Sequence, residues 1–258
     1  MLYFIYIIAG LGAGIVTGLA GLSAAVVITP LLVSACGWDS YDATTIALAS
    51  DVLASLLTAY TYAKNKNIDI KNGCLVGVIA LIGTVIGSYC GYLFNQSQPD
   101  GLGFIAMATT ISLGLKFLFK PIHNGIDNES SSSQIHQNKL FLAMFCGLFI
   151  GWICGFTGSG GGILMLSVFT LLIGYNLKVA VGTSTLIMSS VALVGAISHL
   201  SIGASVDSLA MFIIVITCLI GALSAAKFAN KCDIKILNKV IGIVLLILGI
   251  FTLLIKLL

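Results

Sequence analysis

Leu140 to Ile173 form one apolar block, interrupted by Gly155-Phe156-Thr157-Gly158-Ser159-Gly160-Gly161-Gly162. Its 34 residues would make a helix of roughly 50 Å, against a hydrocarbon core of about 30 Å. One straight transmembrane helix is therefore excluded. Five glycines in eight residues locate the break, because each costs about 1 kcal/mol relative to alanine inside a helix. A break here leaves backbone N–H groups and the hydroxyls of Thr157 and Ser159 at membrane depth. Irregular backbone persists there only if it is buried in protein or lines a wet cavity. Two explanations compete: the glycines serve close helix packing, or they form a cradle for a substrate.

The block requires a membrane because the whole chain resembles it. Of 258 residues, 59% are hydrophobic and only 8% charged, against roughly 25% charged in soluble domains. The reading is an all-α polytopic membrane protein. Further apolar blocks fall at about 2–36, 43–63, 73–94, 102–119, 179–200, 208–229 and 236–258. The first residues, MLYFIYIIAG, lack a basic leader and an A-x-A site, so they read as the first membrane segment. A net charge of +3 gives no nucleic-acid signature. The positive charges are 12 lysines and no arginine, so no guanidinium fork is available for an anion. Seven scattered cysteines without a CxxC pair read as small packing residues, and neither a metal nor a cofactor is expected.

The chain repeats. Gly10, Gly14, Gly18 and Gly21 match Gly147, Gly151, Gly155 and Gly158 at an offset of 137. Thr45, Leu48, Ala54, Asp69 and Gly83 then match Thr183, Leu186, Ala192, Asp207 and Gly221 at 138. This divides the protein into an N-terminal repeat (1–120), a polar cytoplasmic linker (121–138) and a C-terminal repeat (139–258). Each repeat is a Gly-broken block followed by three transmembrane helices.

Lysine placement gives the orientation, since positive residues favour the cytoplasmic side. If each broken block crosses once, the best split is 7 lysines inside and 5 outside. If each is a hairpin the repeats are inverted, and 11 lysines lie inside with only Lys256 outside. The second pattern is favoured, with both termini outside. The second arm, Ala24 to Cys36, spans only about 20 Å as a helix, which leaves re-entrant and strongly tilted hairpins both open. Inverted-topology repeats with broken helices are the build of ion-coupled secondary transporters, with sites near the midplane.

The candidate substrate residues follow from the breaks. Thr157, Gly158, Ser159, Gly160, Gly161 and Gly162 offer hydroxyls and free N–H groups if a helix starts just after the triple glycine. Thr183, Ser184 and Thr185 form a second donor set at the start of the next helix. In the first half Gly21, Ser23 and Thr45 are the counterparts. Ser and Thr in membrane helices also bond the preceding turn's carbonyl, which competes with a ligand role. Asp51 lies inside an apolar block, where an Asp costs about 2.5–3.5 kcal/mol and faces a cavity or partner. It is the first candidate for ion coupling and His199 is the second. Asp39, Asp42, Asp69 and Asp207 fall at block ends and read as caps.

Gly151-x3-Gly155-x2-Gly158-x-Gly160-Gly161-Gly162, followed by Ala180-Val181-Gly182-Thr183-Ser184, His199 and Asp207, resembles the second-half pattern of the TauE/SafE sulfite exporter family. Gly14-x3-Gly18-x2-Gly21 with Ala43-Thr44-Thr45 and Asp69 resembles its first half, without the glycine cluster. The resemblance implies a multi-pass transporter in a bacterial inner membrane. Its partner would be a small inorganic or organic sulfur anion such as sulfite or a sulfonate, with the lipid bilayer around it. No enzyme activity is expected. A homodimer is a candidate assembly. Two rivals are an intramembrane serine hydrolase using Ser159 with His199, which the repeat disfavours, and a passive anion channel.

Overall fold

A computed structural model describes residues 2–98, 101–119, 137–158, 161–232 and 234–257. Among these the chain is all helical. The first half comprises α1 (Leu2–Ala20), α2 (Ala25–Cys36), α3 (Ser40–Lys64), α4 (Ile70–Ser97) and α5 (Gly101–Phe119). The second comprises α6 (Gln137–Thr157), α7 (Gly161–Ser167) running into a π-helical segment (Val168–Ile173), α8 (Leu177–Ile202), α9 (Ser208–Lys231) and α10 (Ile234–Leu257). Six helices (α1, α3, α4, α6, α8 and α9) are long and apolar enough to cross a membrane. Two boundaries differ from the sequence reading. Helix α6 begins at Gln137, inside the stretch read as linker, whose residues 121–136 lie outside the described residues. Helix α7 begins at Gly161, so two of the three glycines are helical and not ahead of the helix.

Capping fixes the starts. Asp39 accepts from the amides of Tyr41 and Asp42, Asp69 from that of Asn72, and Asp207 from those of Leu209 and Ala210. Such side-chain acceptors satisfy N–H groups that a helix leaves unpaired. Asp42 does something else. Its carboxylate accepts from the backbone N–H and hydroxyl of Ser205 at 2.9 and 3.0 Å, tying the start of α3 to the turn before α9.

Glycines make the two closest helix seams. A Cβ on Gly14 would lie 2.0 Å from the carbonyl oxygen of Cys218, and one on Gly18 2.4 Å from that of Ala222. The other seam repeats this, with Gly151 at 2.0 Å from the Ala80 oxygen and Gly155 at 2.1 Å from that of Thr84. Residue numbers rise together along both seams, so α1 runs parallel to α9 and α6 parallel to α4. Backbones this close gain dispersion contacts and weak C–H···O bonds that any side chain would prevent. Packing is thus the role of these glycines.

Two further contacts set the path of the broken blocks. Tyr6 rests edge-on against Trp38, just before α3, at 6.3 Å between ring centroids. At the far end of α3 the Tyr62 hydroxyl faces the carbonyls of Gly18 and Leu19, at 3.5 Å each. Helices α1 and α3 therefore point the same way, and α2 returns between them. Its 12 residues span about 18 Å, well short of the hydrocarbon core. Helices α3 and α8 pack head to tail: Thr45 meets His199, Leu48 meets Gly195 and Tyr62 meets Gly182.

Gly151→Ala should destabilise the protein by about 3 kcal/mol, as overpacking against an unyielding backbone does. Gly77→Ala, whose nearest neighbour is the Ile187 side chain at 3.4 Å, should be neutral or stabilising by up to about 1 kcal/mol. Thermal unfolding of both variants in detergent checks the contrast.

Candidate functional site

The two breaks meet at the centre of the bundle. Helix α1 is followed by Gly21, whose φ is +65°, and α6 by Gly158, whose φ is also +65°. This is the left-handed conformation that a glycine adopts without steric cost. Across the gap the Ser23 hydroxyl donates to the carbonyl of Gly158 at 2.7 Å. The same Ser23 oxygen accepts from the Ala25 amide at 3.3 Å, so it caps α2. Each break is therefore part of the other's wall. Gly162 is needed for that approach: a Cβ there would sit 2.4 Å from the Gly21 carbonyl oxygen. Gly161 faces Cys154 and Met188 side chains instead, the nearest atom 3.0 Å from a Cβ.

A pair of side chains holds the last turns before the breaks. The Tyr62 hydroxyl faces the carbonyls of Gly18 and Leu19, and Nε2 of His199 lies 2.9 Å from the carbonyl of Gly155. A carbonyl only accepts, so Nε2 carries a proton. Tyr62 and His199 are 137 residues apart, as are Gly18 and Gly155. The two do the same task in the two halves. The other ring nitrogen of His199 faces the Thr45 hydroxyl at 3.1 Å, and the Tyr41 ring stacks on the imidazole at 4.1 Å. The histidine is fully buried.

The expected hydroxyls are near the breaks, but they are engaged within the protein, most of them as donors. Thr157 donates to the Ile153 carbonyl, Ser184 to Val181, and Thr185 to Val181 and Gly182. Thr45 donates to Tyr41, and Thr183 accepts from the Asp69 amide at 2.9 Å. Thr183 to Thr185 sit two turns into α8, which starts at Leu177, and not at its first turn. Ser184 and Thr185 do reach the first break, since both side chains crowd Gly21. Ser159 and Gly160 lie outside the described residues.

Asp51 is at the middle of α3 and has no exposed surface. Its Oδ1 accepts from the Ser55 hydroxyl at 2.8 Å. Ser23 and the Ala24 amide are the next polar groups beside it, yet Oδ2 has no hydrogen-bond partner. Cys154 of α6 and Cys218 of α9 lie within electrostatic range of the carboxyl. The carboxyl thus lies beside Ser23 and Ala24 of the first break.

The bundle's two ends are closed differently. At the Lys64 end the Tyr175 hydroxyl donates to Asp69 at 2.5 Å, and Asn72 donates to the same oxygen at 2.7 Å. Burial alone would raise the Asp69 pKa, but these bonds and those from the Asn72 and Lys71 amides outweigh it and lower it. At the other end the equivalent residues are Trp38 and Asp207. They line an open pocket of about 400 Å³ with Asp39, Asp42, Ser205 and Val206. Sequence reasoning treated Asp69 only as a cap and did not single out Tyr62 or Tyr175. At the offset of 138 that holds for Thr45, Ala54 and Asp69, Tyr62 pairs with Leu200 and not with His199, so the repeat does not mark it. Nothing local marks Tyr175.

The family model described as Sulfite exporter TauE/SafE matches residues 6–252. The chain is 28% identical over 264 residues to "Probable membrane transporter protein YunE" of Bacillus subtilis (strain 168), covering 96% of each chain. It is 24% identical over 249 residues to "Probable membrane transporter protein YdhB" of the same organism, covering 93% of this chain and 96% of that one. A third relative, "Probable membrane transporter protein MJ0441" of Methanocaldococcus jannaschii, is 25% identical over 201 residues, or 76% of this chain and 71% of its own. No solved structure matches.

Because the folded-state pKa of Asp69 is lowered, its contribution is present above the unfolded carboxylate value of about 3.9 and lost as pH falls through the folded value. Tyr175→Phe should cost about 1 kcal/mol at neutral pH, after discounting for partial solvation. It should also flatten the loss of thermal stability below about pH 4. Melting curves from about pH 3 to about pH 7 test both effects.

Proposed function

Since the chain belongs to the sulfite exporter TauE/SafE family, we propose that it is a secondary transporter that moves small sulfur-containing anions, sulfite or an organic sulfonate, under an ion gradient. The observation that carries this reading is the meeting of two broken helices at the centre of the bundle, Ser23 on the Gly158 carbonyl, with buried Asp51 beside them. Broken helices lend backbone groups to a ligand at the midplane, and a carboxyl there supplies a site for a coupling ion. Both the anion site and the coupling are part of the proposal. The anion binds between the breaks, nearer the second, where Thr157, Gly158, Ser159 and Gly160 offer more donors than Gly21 and Ser23. It takes up amides and hydroxyls now bonded within the protein, so the compact arrangement fits a closed state between two open ones.

Two inverted-topology repeats are the matching architecture. Its support is that α3 and α8, equivalent in the two halves, run head to tail, while α1 and α3 run together, so that α2 makes a hairpin. The lysine distribution then puts both termini outside, in a bacterial inner membrane.

Proteoliposomes loaded with sulfite, sulfate, thiosulfate or a small sulfonate, under imposed pH and sodium gradients, test the function. Gradient-driven flux of a sulfur anion is expected. Steady anion current indifferent to both gradients would make the protein a channel. Asp51→Asn should abolish the response to the driving gradient while retaining anion exchange. Ser159→Ala should weaken anion binding roughly 10- to 150-fold, as loss of a hydrogen bond to a charged group does. Ser23→Ala should cost less binding, and a larger loss there would place the anion in the first half.

Orientation has its own test. Tags in the loop between Lys64 and Lys71, in 121–138 and near Lys231 should be reached from the cytoplasm, and tags at both termini from outside. Termini on opposite faces would overturn the inverted repeat.

A further inference from the structure

Three buried side chains around the first break carry an oxygen without a hydrogen-bond partner: Thr17, Asp51 and Thr58. This is unusual within the protein itself. The hydroxyls of Thr45, Ser50, Thr61, Thr84, Ser88 and Thr170 all donate to the carbonyl one turn back, the usual way a membrane helix satisfies Ser and Thr. Thr58, in the same helix as three of these, does not.

Position adds direction to the anomaly. Asp51, Ser55, Thr58 and Tyr62 recur at i, i+4, i+7 and i+11 and so share one face of α3. All four are essentially unexposed. The face begins at the carboxyl in the middle of α3 and ends about half a turn before Lys64. At its far end the Tyr62 hydroxyl is held only by two contacts of 3.5 Å, to Gly18 and Leu19, the residues that follow Thr17. In the opposite direction the positions one turn from Asp51 are Ala47 and Leu48, both buried and apolar, and the next hydroxyl on that face, Thr44, faces Thr29. The run of hydroxyls is thus unbroken towards the Lys64 end and interrupted by an apolar turn towards the other.

The surroundings select the ion. A hard metal cation takes about six or more oxygen ligands. Asp51 has Ser55 on one oxygen, and the Ser23 proton is directed at Gly158. The titratable groups of α6 and α9 within electrostatic range of it are the thiols of Cys154 and Cys218, which suit soft metals. Among the described residues no lysine or histidine acts on it, and His199 of α8 is engaged at the far end with Thr45 and Tyr41. A single proton on Oδ2 neutralises the buried charge without a coordination shell.

We propose that Asp51 is a proton-binding site, and that the hydroxyl face of Ser55, Thr58 and Tyr62, bordered by Thr17, is the route by which protons reach it from the Lys64 end of α3 alone. Each hydroxyl on the route accepts one proton and releases another, so it ends unchanged. Neighbours one turn apart are about 5–6 Å from each other, and a water between them completes each step. The net event is transfer of one proton from water at the Lys64 end to the Asp51 carboxylate, with no redox change. This is the coupling limb of the transport cycle above and rests on that reading.

Infrared difference spectroscopy of the purified protein in uniformly oriented vesicles reads the protonation without needing a transported anion. A pH jump applied at the Lys64 end should produce a carboxylic-acid band that Asp51→Asn removes. The same jump at the other face should produce it at least about tenfold more slowly, the factor that about 1.4 kcal/mol of extra barrier imposes. Thr58→Val should slow the rise from the Lys64 end about tenfold at unchanged amplitude, and Thr58→Ser should restore it. If Thr58 were only structural, Val of the same shape in place of an unpartnered hydroxyl would leave the rate alone and be neutral or stabilising. Melting temperatures measured alongside ensure that folded variants are compared. A band absent from the wild type, or retained in Asp51→Asn, overturns the site. A band whose rise is the same from both faces, or is untouched by Thr58→Val, overturns the route. Failure of [35S]sulfite flux in the same vesicles with the band intact overturns the anion reading and leaves the proton site standing.

Discussion

Backbone polarity in hydrocarbon is the constraint on which the rest of this structure depends. A helix that stops at membrane depth leaves its last carbonyls and the next helix's first amides without water, and each unsatisfied group costs several kcal/mol. The protein stops two helices there and satisfies them from within. Gly21 and Gly158 supply matching left-handed turns. Tyr62 and His199 cover carbonyls of the turns before them. Ser23 both caps the helix it begins and bonds the opposite break. None of these devices works unless the two halves are in contact, so neither half can place its break alone.

That mutual dependence explains the glycine seams. If each break is to reach the other, the helices carrying them must be held by partners that do not yield. Helix α1 lies on α9 of the other half, and α6 on α4 of the other half, with backbone against backbone along three turns in each case. A seam of this kind transmits position stiffly because no side chain can relax between the two helices. The polar centre is therefore located by apolar contacts remote from it. A methyl group on Gly151 would displace Gly158 as surely as a change at the break.

Much of this was legible because it is periodic. The offsets of 137 and 138 paired residues of α1, α3 and α4 with residues of α6, α8 and α9, and the excess length of the apolar blocks forced a break where the glycines stand. What was not legible is what depends on the opposing surface. Gly161 and Gly162 read alike in sequence, yet one faces side chains and the other the backbone of Gly21. The triple glycine was read as preceding a helix, although packing against the other break holds two of the three within one. The π-helical turn at Val168–Ile173 has no sequence mark, since an apolar run fits α and π windings equally. Hydroxyl roles were the least readable, because a Ser or Thr bonded to its own helix and one left open differ only in a rotamer.

The remaining asymmetry concerns the ends. A repeat would give the same closure twice, and the sequence departs from it at one residue pair. Tyr175 with Asp69 makes a short hydrogen bond at the Lys64 end, while Trp38 with Asp207, at the equivalent positions, lines an open pocket with two further aspartates. An indole N–H is a donor on the ring's edge, and it cannot take the place of a phenol hydroxyl at the tip of the side chain. The exchange of one aromatic ring for another thus removes a closure from one end only. Three carboxylates gathered at that end also repel anions arriving from solution within about a Debye length of 8–10 Å. The end fastened by Tyr175 is also the end at which the hydroxyl face of α3 emerges. Opening it requires breaking the hydrogen bond from Tyr175 to Asp69, whereas at the other end the carboxylate bonds are those from Ser205 to Asp42, beside the open pocket. The two ends are therefore fastened by different residues, and the difference comes from side chains.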